Sequence, residues 1–191
     1  DALERLARAL AADPGAIAAA APYARVARDG RIGPAIRPPT GDLARRLGVR
    51  NVFLNGGHVL IRRAAIQRTG GFDQALDFGE DWEFWARLAR LGRFAADPSP
   101  HPALYALDRP DGAFHARAGE PDAYRACLSA IHAPSAPPRA ARAEAAWEIA
   151  KAWRHRGAAR ECRAWAARSL LTAPSPRRAA RLAWSYLARL T

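Results

Sequence analysis

The stretch FGEDWEFWARLARLGR, residues 78–93, limits the folds open to this chain more than any other. Read as a helix beginning near Glu80, it places Trp85, Leu88 and Ala89 on one side, with Phe84 and Leu91 adjacent. Aromatic side chains so arranged are core or near-core residues, so the run predicts a helix packed inside a folded domain. Glu80 and Asp81 open it and Gly92 ends it. An acidic pair in a first turn has two readings. The free N–H groups and the helix dipole favour an anion there, which makes Asp81 a cap. Alternatively, a carboxylate fixed at a helix N-terminus ordinarily stays ionised near neutral pH and can take a proton from an attacking hydroxyl. The flanking tryptophans would then form an apolar shelf of the kind sugar rings pack against. Spacing alone leaves both readings open.

Upstream, Leu3, Leu6 and Leu10 fall at helical spacing before the Asp13-Pro14-Gly15 stop. Tyr23, Val26 and Ile32 around Asp29-Gly30 predict a strand and hairpin, and a short helix is expected near Asp42–Leu47. Residues 51–63, NVFLNGGHVLIRR, read as a strand interrupted at Asn55-Gly56-Gly57 and resumed through His58–Ile61. Glycines inside a strand pattern mark either a bulge or a close approach of backbone to a ligand. Residues 64–69 read as a short helix ended by Gly70-Gly71, and the segments RFAADPS and PALYALDR as strands.

The ordered string from 58 to 93 resembles the C-terminal half of a family-2 glycosyltransferase with the GT-A fold. Gly70, Gly71, Phe72, Asp73, Glu80, Asp81, Trp82, Arg87, Leu88 and Gly92 carry the resemblance, which extends over about residues 1–117 with 70–92 its specific part. It implies an α/β architecture: the acceptor-side part of a GT-A (Rossmann-like) nucleotide-sugar transferase domain over residues 1–119. An all-α extension follows over 120–191. It further implies an inverting transfer from a nucleotide-sugar donor to a saccharide or lipid-linked hydroxyl acceptor, with Asp81 as base and Glu80 orienting the pair. Trp82 and the Asn55, Gly56, Gly57, His58 loop are the implied substrate contacts. A divalent cation, Mn2+ or Mg2+, is the implied cofactor of the whole enzyme. The chain holds no Asp-x-Asp triplet of the kind that binds this cation in the family. Arg109 stands near the place of a family metal-ligating histidine, and His115, six residues on, is the candidate in its stead. With no methionine and Asp1 first, the sequence reads as a piece of a longer protein lacking the nucleotide-binding half, and so inactive alone.

Beyond Gly119 the pattern is helical, with faces Ala146/Ile149/Ala150/Trp153, Ala159/Cys162/Ala166/Ser169/Leu170 and Ala179/Leu182/Ala183/Tyr186/Leu187/Leu190. The order resembles one degenerate tetratricopeptide unit; a packed helical tail is the simpler reading. Residues 139–191 carry 12 Lys or Arg against 3 Glu, part of a net charge of +12. That excess is either a solvated basic face or an attraction to an anionic membrane surface. Neither an aromatic-basic RNA motif nor a helix-turn-helix pattern is present, so no nucleic-acid partner is expected. Cys127 and Cys162 lack disulfide or zinc spacing, and the N-terminus lacks a signal-peptide pattern. A cytoplasmic location, with contact at the inner face of the membrane, is the expectation. A non-catalytic helical interaction module is the competing class.

Overall fold

The computed structural model describes residues 1–27, 29–53, 56–106 and 117–187. Among these stand eight α-helices and five short strands in two small sheets, a mixed α/β architecture. Two compact units result. One takes the described residues of 1–47, 51–73 and 81–110; the other takes those of 48–50, 74–80 and 111–191. The helical unit thus includes two short segments from upstream of residue 119.

In the first unit, Asp1 caps helix α1 (Ala2–Ala12) by accepting from Leu3 N–H at 2.9 Å. Leu6 and Leu10 are buried against Ala16, Ala19 and Ala21, whereas Leu3 is exposed despite its matching spacing. Strand β1 (Ala16–Ala20) lies at the centre of a three-stranded sheet. It pairs antiparallel with β3 (Val59–Ile61) and parallel with β4 (Arg93–Ala96). Its alanines let α1 lie close to the sheet. Arg62, just after β3, donates to Leu10 O at 2.6 Å and Ala16 O at 2.7 Å, tying the end of α1 to β1. Strand β2 (Tyr23–Val26) pairs parallel with β5 (Ala103–Ala106). A Val26–Ile32 bridge closes the expected Asp29-Gly30 turn.

The remaining helices of this unit are α2 (Ala44–Leu47), α3 (Arg63–Thr69) and α4 (Glu80–Ala89). Gly70 ends α3 in the left-handed conformation at φ 77°, its N–H returning to Ile66 O at 2.9 Å. One sequence expectation is corrected here. Asn51 to Phe53 do not form a strand; a 3-10 turn over Gly56–His58 leads directly into β3.

The second unit contains α5 (Pro121–His132), α6 (Arg139–His155), α7 (Ala159–Thr172) and α8 (Pro176–Leu187). Tyr124 of α5 meets Phe78 edge-on at 5.0 Å, and His132 Nε2 lies 2.7 Å from Gly48 O. These contacts bind the two upstream segments to the helices. Gly79 is in the left-handed region at φ 73°, and a Cβ there would lie 2.8 Å from Cys127 Sγ. Gly79→Ala is therefore expected to destabilise the protein by about 2–3 kcal/mol, part backbone and part clash. In urea unfolding, Cys127→Ala should restore only the clash share. Full restoration would mean the backbone is not strained.

Trp147, Ala150, Cys162 and Ala166 form the core of the helical unit, with Trp153, Trp165 and Leu182 against them. Glu144, buried in α6, is held by Arg181 of α8 in two parallel hydrogen bonds of 2.7 and 2.8 Å. Burial opposes the Glu144 charge, but Arg181, with Arg177 and Arg50, outweighs it and holds the carboxyl below the ordinary 4.5. A lowered folded-state pKa stabilises the fold above the unfolded value, and that contribution is lost as pH falls through the folded one. Stability should therefore decline on acidification below about pH 5, and Glu144→Gln should make that decline shallower. Thermal unfolding across acid pH tests this; parallel curves for the two proteins would refute it.

Candidate functional site

Helix α4 is buried nearly all round: Trp82, Glu83, Phe84, Trp85, Ala86, Leu88 and Ala89 are all inaccessible. Aromatic contacts fix it in place. Phe84 meets Phe72 at 4.7 Å, and Trp85 meets Phe53 edge-on at 5.6 Å. Phe53 in turn contacts Phe94 at 5.2 Å. A helix so enclosed has little freedom to turn, which fixes the direction of the carboxylates at its start.

The three residues of the opening Glu-Asp-Trp triplet have different surroundings. Glu80 is exposed. Trp82 is buried, its Nε1–H donating to Leu47 O at 2.6 Å. With Trp85 also buried, the expected apolar shelf is not formed by these rings, and Trp82 is a packing residue. Asp81 is half-buried. One of its oxygens accepts the Trp82 N–H at 2.6 Å, and both lie 3.4 Å from Asn51 Nδ2. The Asn51 side chain is itself oriented, because its Oδ1 accepts the Phe53 N–H at 3.1 Å. The amide therefore turns its NH2 toward Asp81. A half-exposed carboxylate with fixed direction is suited to accept a proton from a hydroxyl brought to it.

Behind this site, Arg87 joins α4 to the end of α3. Its guanidinium donates to both Glu83 oxygens at 2.5 and 2.7 Å, to Gly71 O at 2.7 Å and to Thr69 O. The spacing of the Gly-Gly turn from Arg87 thus has a physical basis. Two carbonyls at the close of α3 and one buried carboxylate converge on one cation.

The glycine loop is placed differently from the sequence expectation. Gly56 and Gly57 lie in the 3-10 turn, with Gly57 exposed. His58 is buried, its ring 5.4 Å from Tyr23 and 6.2 Å from Phe53, so it is a core residue rather than a surface contact. Asn55 and His115 lie outside the described residues. Phe53 links the two regions: it touches the His58 ring, and its own N–H orients Asn51.

Asn51 and Glu83 were missed in the sequence. The i, i+4 spacing of Glu83 and Arg87 is a legible signal for their ion pair. Nothing local marks Asn51 as the partner of a residue 30 positions away. No three His, Cys, Asp or Glu side chains come together among the described residues, so these supply no ligand set for the implied divalent cation. Compared with known proteins, the chain matches no family model and no curated sequence.

Proposed function

We propose that this chain is the acceptor-side half of an inverting glycosyltransferase of the family-2, GT-A type, with Asp81 as its catalytic base. The observation that carries the reading is the Asp81 carboxylate. It is half-exposed at the start of an otherwise buried helix, with both oxygens toward an amide that is itself held in place. The ordered string from Gly70 to Gly92 supports it further, because Arg87 gives that string one structural purpose: holding the Asp81 helix against the Gly70-Gly71 turn.

In the reaction, the acceptor hydroxyl oxygen forms a bond to the anomeric carbon of a nucleotide-sugar. The bond from that carbon to the diphosphate oxygen breaks, and its electron pair leaves with the nucleoside diphosphate. The hydroxyl proton passes to Asp81. One displacement inverts the anomeric configuration. Glu80, exposed beside it, is placed to orient an incoming acceptor rather than to take the proton.

The test is release of nucleoside diphosphate from UDP-, GDP- and dTDP-sugars, with Mn2+ or Mg2+, by the chain carrying its nucleotide-binding half. Release that needs an acceptor and is lost in Asp81→Asn supports the reading. If the variant turns over donor as well as the wild type, Asp81 is a helix cap. If no donor is bound or consumed, the non-catalytic helical module takes precedence.

A further inference from the structure

Helix α8 is amphipathic in the reverse sense from a helix packed on a core. Its sheltered residues are Arg178, Arg181, Leu182 and Ser185. Its exposed ones include Ala179, Ala180, Ala183, Trp184, Tyr186 and Leu187. At 3.6 residues per turn these six fall on one continuous arc. Tyr186 is 66% exposed and Leu187 82%, while Trp184 keeps 41% of its surface in solvent. The apolar face foreseen for burial in this helix therefore points outward, save for Leu182.

Polar anchors on the inner side account for the orientation. Arg181 pairs with buried Glu144, and Arg178 donates to Ala173 O at 2.9 Å, closing the last turn of α7. Ser185 turns back to Leu182 O at 2.6 Å. Turning the apolar arc inward would break the Glu144 pair and leave a carboxylate buried without its cation.

The rim of the arc is cationic. Arg154 of α6 stacks on the Trp184 ring at 4.0 Å, and Arg163 of α7 on Tyr186 at 5.3 Å. Arg160, Arg168 and Arg177 are exposed on the same helical unit. Two of the three glutamates in 139–191 are already paired, Glu144 with Arg181 and Glu148 with Lys151. A second copy of the chain would bring +12 against +12 and set these arginine rims face to face. An anionic bilayer surface matches both features. Its phosphates meet the arginines, and the boundary between headgroups and acyl chains receives Trp184, Tyr186 and Leu187. Trp and Tyr are the residue types that favour that boundary.

We propose that α8 is a peripheral attachment to an anionic membrane surface, lying in the plane of the interface with its alanine–aromatic arc inward. No helix among the described residues is long and apolar enough to cross a membrane, so the contact is one of lying on the surface rather than spanning it. This inference stands apart from the role of Asp81.

The test is flotation of the protein with vesicles of phosphatidylcholine, alone or mixed with phosphatidylserine. Binding is expected to the mixed vesicles and to weaken with added salt. The double substitution Tyr186→Glu with Leu187→Glu should weaken it about tenfold or more. Ala183→Glu, in the centre of the arc, should also weaken it. All three side chains are exposed, so thermal unfolding should be unchanged, which separates lost contact from lost fold. No binding to mixed vesicles would overturn the proposal. So would binding that survives all three substitutions, since a general basic charge would then suffice. A dimer in sedimentation that the same substitutions dissolve, without vesicle binding, would assign the arc to a second copy instead.

Discussion

Sugar transfer should fall about 10²–10⁴-fold when Asp81 is replaced by asparagine, with donor binding and thermal stability close to those of the unsubstituted protein. The asparagine oxygen can still accept the Trp82 N–H, so the start of α4 keeps its geometry. What disappears is the group that takes the proton as the acceptor oxygen attacks. That loss acts on the chemical step and should appear in kcat rather than in donor affinity. A cap has a different signature: a small loss of stability and no selective loss of rate. Glu80→Gln provides the comparison within the same turn. Glu80 is exposed, so its substitution should leave stability unchanged and transfer far less impaired than Asp81→Asn. Equal losses at the two positions would mean that the general acidity of the turn matters, not a positioned base.

Arg87→Ala should destabilise the protein by about 3–5 kcal/mol, enough to lower Tm by roughly 6–15 °C. Glu83 is only 3% exposed and would be left as a buried carboxylate without its cation. The carbonyls of Thr69 and Gly71 would lose the same donor. Arg87→Lys retains charge but cannot make this four-acceptor fork, so it should recover only part of the loss. Combining Arg87→Ala with Glu83→Gln should cost less than the two single losses added together, because the second substitution removes the stranded charge. Differential scanning of the four proteins measures this. Additive losses would show that Glu83 and Arg87 do not act as a pair.

Helix α4 was legible because its aromatic spacing and its flanking Gly79 and Gly92 are local signals. The same holds for α3 with its left-handed Gly70, for α5 after Glu120-Pro121, and for strands β4 and β5. Strand β1 was not legible. A run of alanines has weak β preference, and only its two neighbours in the sheet, β3 and β4, make it the central strand. Of the candidate site, Asp81 and Arg87 stood in the string, but Asn51 did not, since its contact is made across 30 residues.

Residue patterns by themselves determined that the chain has a buried aromatic helix headed by Glu80-Asp81 and a basic, helical C-terminal part. Periodicity and punctuation are written along the chain and need no partner to be read. The tertiary structure decided which groups spend their chemistry inside. It placed Trp82 and His58 in the core and left Asp81 half-exposed beside Asn51. It also turned the arginines of α8 inward and its apolar arc outward. The physical reason is shared: a buried polar group requires a partner, and which partner lies within reach depends on segments distant in sequence. Leu47 O holds the Trp82 indole, and Glu144 holds Arg181. Such long-range demands outweighed the local apolar pattern of α8 while leaving that of α4 intact.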